Sequence, residues 1–202
     1  LAKRIDADQI DLLLDLAGHT GQQRMSLFGK RAAPVQATYL GYPGSTGVPN
    51  IDWLIGDAVV TPPDDDALCS ERVARLPGVV FCFAPEVDYP LPNWDAPELL
   101  VRPITFGSFN NVPKLTPRTL ALWARVLSEV PGSRLVLKAP SFSDPGAVRV
   151  FSERLAALGV DLSRVEFRGP VGLDAMMAEY ADIDIALDPT PYNGGTTSLQ
   201  AM

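Results

Sequence analysis

Apolar residues along the first half of the chain fall in short runs that end in polar, glycine-rich loops. Residues 10–16 lead into Ala17-Gly18-His19-Thr20-Gly21, and residues 35–40 lead into Gly41-Tyr42-Pro43-Gly44-Ser45-Thr46-Gly47. Short apolar runs bounded by turn residues predict buried strands, because a strand covered on both faces needs no polar alternation. Residues 22–30 between them carry helical character, so the order reads strand, helix, strand. A further strand is expected at 53–55, followed by the Pro62-Pro63-Asp64-Asp65-Asp66 loop, and extended chain at 73–76 and 79–83 around a Pro77-Gly78 turn.

Proline then becomes dense: Pro85, Pro90, Pro92, Pro97 and Pro103 all fall within 19 residues. That stretch reads as a linker between two lobes, residues 1–92 and 93–202. Beyond it the alternation is regular. A strand is predicted at 104–109, and Thr116-Pro117 gives the N-cap and first-turn signal of a helix to about residue 130. Leu120, Trp123, Ala124 and Leu127 lie on one face of it at the i, i+3, i+4, i+7 spacing of a buried stripe. Strands at 134–138, 165–167 and 183–187 alternate with helices at 146–158 and 173–180, and a last helix opens near Thr196. Parallel crossovers need helix-sized connections, so the fold class is α/β, with parallel sheets carrying helices on both faces. No internal repeat at a helical-array period is present.

Ligands of open parallel sheets bind beyond the carboxyl ends of the strands. Four loops meet that description: 17–21, 41–47, 110–114 and 188–197. The last runs Asp188-Pro189-Thr190-Pro191-Tyr192-Asn193-Gly194-Gly195-Thr196-Thr197 from a strand end into a helix start. Its glycines permit close backbone approach, and its free amides and threonine hydroxyls suit a diphosphate as well as an ordinary capped turn. Phe109-Asn110-Asn111-Val112-Pro113-Lys114 sets two amides and an ammonium past another strand. Lys114 there suits either neutralisation of a departing diphosphate or plain solvation.

Composition narrows the choice. The 202 residues are 47% hydrophobic and 20% charged, as in ordinary globular proteins. A net charge of -7 with no dense Lys/Arg run excludes a phosphate-backbone tracker, so no nucleic-acid partner is expected. Cys69 and Cys82 fit no metal or redox spacing and read as reduced thiols. Nor does any apolar run reach the roughly 18 residues of a spanning helix, and residues 1–8 lack signal-peptide order, so no membrane and a cytoplasmic location are expected. With no initiator Met, and a last stretch Ser198-Leu199-Gln200-Ala201-Met202 inside an expected helix, the chain reads as a fragment. His19 is the single histidine, so a zinc site would lack ligands; no lipase-type Gly-x-Ser-x-Gly element is present, and His19 reads as a hydrogen-bonded loop residue, with a general base as the alternative. Asp64, Asp65 and Asp66 read as a solvated acidic loop.

Four stretches together resemble the catalytic region of the O-GlcNAc transferase and SPINDLY-type protein O-glycosyltransferase family. They are Asp11-Leu12-Leu13-Leu14-Asp15-Leu16-Ala17-Gly18-His19-Thr20, then Arg31-Ala32-Ala33-Pro34-Val35-Gln36-Ala37-Thr38-Tyr39-Leu40-Gly41-Tyr42-Pro43-Gly44, then Phe109 to Lys114, then Asp184-Ile185-Ala186-Leu187-Asp188 with Asn193-Gly194-Gly195-Thr196-Thr197. They occur in the family's order across nearly the whole chain. The resemblance implies a two-lobed GT-B architecture built of Rossmann-like lobes, with inverting transfer of a sugar from a nucleotide-sugar donor to Ser or Thr of a protein acceptor. It implies no metal or other cofactor. Lys114 matches the lysine that contacts the donor diphosphate, Asn111 a position that often carries glutamine, and Thr196 and Thr197 the paired threonines that hold phosphate. Gly41 matches a backbone contact near the donor sugar, and Gly194 belongs to the same loop as the threonines.

Departures from the family's pattern are Met176 for a nucleotide-contacting histidine, Gly195 for a histidine of animal enzymes, and Gln200 for an acidic residue at the ribose. Helical repeats that bind protein substrates are implied upstream in the complete protein, and the chain alone is expected to be inactive. Donor choice stays open between UDP-GlcNAc and the GDP-fucose of a protein O-fucosyltransferase. A catalytically silent sugar-nucleotide-binding scaffold is the alternative from another class.

Overall fold

The computed structural model describes residues 1–85, 89 and 102–202. They group into two compact units, Leu1–Cys82 and Phe83–Met202. The 92/93 lobe boundary, with Pro90, Pro92 and Pro97 of the expected linker, lies outside the described residues.

The first unit runs α1 (Ala2–Ala7), β1 (Leu12–Asp15), α2 (Met25–Phe28), β2 (Val35–Tyr39), β3 (Trp53–Gly56) and β4 (Arg72–Arg75). Its strands form a parallel sheet in the order β1-β2-β3-β4. Side chains alternate across a strand, and on one face Leu13 joins Met25, Phe28 and Ile51 in a small apolar cluster. Gln36 is buried on that face and uses its amide group fully. It donates to the carbonyls of Phe28 and Asn50 at 2.8 and 2.7 Å and accepts from the Ala32 amide at 3.0 Å.

Two expectations change here. The helix predicted at 22–30 contracts to Met25–Phe28, because Gln22 and Arg31 at its two ends take φ of 63° and 47°, outside the right-handed helical region. Residues 79–83 are not a strand: the Val80 amide donates to Asp57 Oδ2 at 2.6 Å and its carbonyl accepts from the Tyr39 hydroxyl at 2.8 Å. Side chains have taken the groups a ladder would have used.

The second unit runs β5 (Thr105–Ser108), α3 (Pro117–Glu129), β6 (Arg134–Lys138), α4 (Pro145–Ala157), β7 (Val165–Arg168), α5 (Leu173–Glu179), β8 (Ile185–Ala186) and α6 (Thr196–Ala201). Its parallel sheet has the order β7-β6-β5-β8. Thr116 caps α3 by accepting from the Thr119 amide, and Asp144 caps α4 through the amides of Gly146 and Ala147. The predicted stripe of α3 enters the core, where Leu120, Trp123 and Leu127 cluster with Phe106, Leu135, Leu137 and, from α4, Leu155. Lys138 points to the opposite face and pairs with Glu179 of α5 at 3.0 Å, so helices lie on both faces of this sheet. Strand β8 is narrower than expected, although the Asp184 and Leu187 amides still bond the Thr105 and Gly107 carbonyls of β5 on either side of it.

Candidate functional site

The strand order β7-β6-β5-β8 fixes where a ligand site can form. From β5 the chain proceeds through β6 to β7 on one side, then crosses back to place β8 on the other side of β5. The loops leaving β5 and β8 therefore part at the sheet's switch point and leave a crevice at the carboxyl ends of these two strands. Those loops are residues 109–116 and 187–195.

Lys114 bridges them. Its Nζ donates to the Asn193 carbonyl at 2.9 Å and lies 4.8 Å over the Tyr192 ring. The same loop is anchored at Thr190, whose carbonyl accepts from the buried Thr119 hydroxyl at 2.7 Å and whose amide donates back to it at 3.2 Å. Asp188 closes the turn by accepting from the Gly194 amide at 2.7 Å and from the Ser198 hydroxyl at 2.9 Å. Across the crevice, Thr197 donates its hydroxyl to Asn110 Oδ1 at 3.0 Å. Asn110 and Thr197 line a hollow of about 210 Å³ together with Ser108, Phe109, Tyr180 and Asp188.

Gly194 has to be glycine in this arrangement. A Cβ there would run into the Ser198 hydroxyl and come within 2.7 Å of Thr197 Oγ1 and 3.1 Å of Asn110 Oδ1. Behind the hollow, the Phe109 and Tyr180 rings stack with centroids 4.2 Å apart, and the Tyr180 hydroxyl donates to the Thr197 carbonyl at 3.3 Å. Burial, with a smaller contribution from Tyr89, pushes the Tyr180 phenol up to about 12, which keeps it a donor. Buried Lys138 ties α5 to the sheet below, donating to the Gly169 carbonyl at 2.7 Å besides its pair with Glu179.

In the first unit, buried Asp15 shapes the loop after β1. It accepts from the Ala17 and Gly18 amides at 3.2 and 2.8 Å and from the Thr38 hydroxyl at 2.9 Å. Gly18 takes φ of +54° against Tyr42, and a Cβ on Gly41 would strike the Leu16 carbonyl and come within 2.6 Å of the Ala17 carbonyl carbon. Loops 17–21 and 41–47 are thus in direct contact, joined also by His19 Nε2 at 2.7 Å from the Thr46 carbonyl. Glu71 holds the far side, accepting from the Thr46 amide at 2.9 Å, from the Ser45 hydroxyl at 2.8 Å and from the Thr46 hydroxyl. Burial works against the Glu71 charge, but these donors outweigh it and hold the carboxyl below its ordinary range.

The structure therefore sets Lys114 against the loop that carries Gly194, with Gly195 and Thr196 on the same turn, and Gly194 beside Thr197 and Asn110; of the expected site residues Thr197 alone lines the hollow. Thr196 is exposed, and Gln200 follows it one turn along α6. Asn111 is exposed, and it is its neighbour Asn110 that faces Thr197. Gly41 belongs to the first unit. Asp188, Ser198, Thr119 and Tyr180 were not singled out by sequence. Among the described residues no group of three or more His, Cys, Asp or Glu is placed to hold a metal, and Asp66 instead pairs with Arg75.

The family model described as glycosyl transferase family 41 matches residues 1–86. A protein of Oryza sativa subsp. japonica named probable UDP-N-acetylglucosamine–peptide N-acetylglucosaminyltransferase SPINDLY is 39% identical over 204 residues, covering 100% of this chain and 22% of its own length. Among solved structures, a mutant O-GlcNAc transferase of Thermobaculum terrenum superposes with a TM-score of 0.90 at 37% identity, covering 99% of this chain and 38% of that one. Over residues 1–86 the chain therefore matches glycosyl transferase family 41. The Arabidopsis thaliana protein named SEC, a probable transferase of the same description, is 30% identical over 213 residues, again covering 100% of this chain and 21% of its own length. The chain thus spans about a fifth of the length of the curated relatives it matches. None of its described helices is long and apolar enough to cross a membrane.

Proposed function

We propose that the complete protein carrying this chain is an inverting, cytoplasmic glycosyltransferase. It moves N-acetylglucosamine from UDP-N-acetylglucosamine onto Ser and Thr hydroxyls of proteins, and this chain grips the donor diphosphate. The observation that carries the proposal is the convergence of the Lys114 ammonium, the Gly194 loop and the Thr197 hydroxyl at the switch point of the second sheet. The names of the similar proteins supply the sugar and the acceptor class.

In such a transfer the acceptor hydroxyl gives up its proton to a base as its oxygen bonds to the anomeric carbon and the bond from that carbon to the diphosphate oxygen breaks. The leaving diphosphate takes the electron pair, and negative charge grows on its terminal phosphate. Fixed donors and a cation at that point favour the transition state over the ground state. Lys114 supplies the cation, so the proposal requires no metal. Its present partners, a carbonyl and a ring face, are weaker than an anionic phosphate, so the ammonium exchanges them for the diphosphate. Thr196 and Thr197 add hydroxyls, and Asn111 and Gln200 take the donor contacts the resemblance implies. Helical repeats elsewhere in the complete protein present the acceptor.

Lys114→Ala in the complete protein is expected to lower the transfer rate by about a hundredfold or more, the cost of removing one preorganised charge-stabilising group. An unchanged rate removes Lys114 from the mechanism. Calorimetry with UDP-N-acetylglucosamine and GDP-fucose tests the donor, with the former expected to bind. Preference for GDP-fucose would overturn the sugar assignment, and donor binding without transfer to any protein would leave a binding scaffold instead.

A further inference from the structure

The polarity of the Thr197 hydroxyl decides whether it can serve an anion at all. Its proton is committed to Asn110 Oδ1 at 3.0 Å, so only oxygen lone pairs face the crevice, and lone pairs repel phosphate. The rest of Thr197 has little freedom: Tyr180 holds its carbonyl, and Tyr180 is itself stacked on Phe109.

Asn110 is built to release it. The residue is buried, and its amide nitrogen lies 3.4 Å from Ser108 Oγ, a hydroxyl that is equally able to donate or accept. A half turn of the Asn110 amide keeps both contacts and reverses both directions. Ser108 then donates to the amide oxygen, and the amide nitrogen donates to Thr197 Oγ1. The Thr197 proton is thereby freed to point into the crevice. No atom shifts beyond the exchange of the amide oxygen and nitrogen, and no buried polar group is left unpaired.

We propose that Asn110 is a positioning residue that switches Thr197 from acceptor to donor when a diphosphate occupies the crevice. This rests on the donor-diphosphate reading given above and adds to it the residue that sets the hydroxyl's direction. An ionised aspartate at the same position can only accept. It would lock the Thr197 proton away from the ligand while keeping the shape of asparagine.

The experiment measures binding of UDP to the complete protein by calorimetry, for Lys114→Ala, Asn110→Asp, Asn110→Ala, Thr197→Val and the Asn110→Ala/Thr197→Val double variant, with thermal melts alongside. Asn110→Asp should weaken UDP by about tenfold or more near neutral pH with little change in melting temperature, a loss that shrinks as acid protonates the new carboxyl. Asn110→Ala should weaken UDP in the parent and add nothing once Thr197 is valine. Should Asn110→Asp fail to fold, this alanine cycle decides alone. Equal costs of Asn110→Ala in both backgrounds, or unchanged UDP affinity in Asn110→Asp, would overturn the switch. If Lys114→Ala and Thr197→Val weaken UDP while both Asn110 variants do not, only the switch fails. If Lys114→Ala and Thr197→Val also leave UDP binding unchanged, the diphosphate reading fails with it.

Discussion

Gly194 and Gly41 carry opposite kinds of constraint, although both are glycines in loops that follow strands. The space a Cβ would need at Gly194 is filled by the hydroxyls of Ser198 and Thr197, which can rotate away. Gly194→Ala should therefore fold with a modest loss of melting temperature but detach these hydroxyls from Asp188 and Asn110. UDP binding by the complete protein should weaken by about tenfold, measured by calorimetry, and undiminished binding would contradict the geometry. At Gly41 the obstacle is the Leu16–Ala17 backbone, which cannot rotate away. Gly41→Ala should cost about 1–3 kcal/mol or more in a denaturant melt, the usual cost of overpacking. The loops that carry Lys114, Gly194 and Thr197 were legible in the sequence as polar segments at strand ends, and it was the resemblance that singled out these residues within them. Asn110 was not: two adjacent asparagines look alike in sequence, and only the fold buries Asn110 and leaves Asn111 exposed.

Elements with a strong periodic face were read correctly, as the stripe of α3 shows. Elements decided by side chains caring for backbone groups were not, and residues 79–83 went to Asp57 and Tyr39 for that reason. Sequence patterning does not reveal such distant partners. Glu71 is a similar case, because its donors Ser45 and Thr46 lie in the loop after β2. Its folded carboxyl titrates below the ordinary range, so the stability it contributes is complete above that range and is lost as pH falls through the depressed value. Asp52 acts in the same direction: its hydrogen bond from Arg31 comes first, then the Gln36 amide, and together they hold it at about 2. Glu71→Ala should destabilise the protein by about 1–3 kcal/mol near neutral pH by leaving buried donors unpaired. The gap from the parent should narrow in melts at progressively lower pH, and a gap independent of pH would refute the assignment.

At the scale of the whole molecule, each of the two sheets brings its own loops together. The second also carries the strand-order reversal that makes a crevice. That reversal could be foreseen as a class of fold but not as a strand order, since the strands alone do not say on which side of β5 the chain returns. In the first sheet Leu12 and Leu14 stand exposed on one face of β1, with Val35 of β2, the register partner of Leu12, exposed beside them. Residues 1–202 expressed alone should bind a hydrophobic dye at this face, and Leu12→Lys with Leu14→Lys should reduce the signal without lowering the melting temperature. Dye binding that ignores these substitutions would place the exposed apolar surface elsewhere. The grip of Lys114 and Thr197 on a donor diphosphate is tested most directly by a crystal structure of the complete protein with UDP. The pyrophosphate should sit between Lys114 Nζ and the Thr197 hydroxyl, with the Lys114–Asn193 bond given up. A diphosphate bound elsewhere, with Lys114 still on the Asn193 carbonyl, would contradict it.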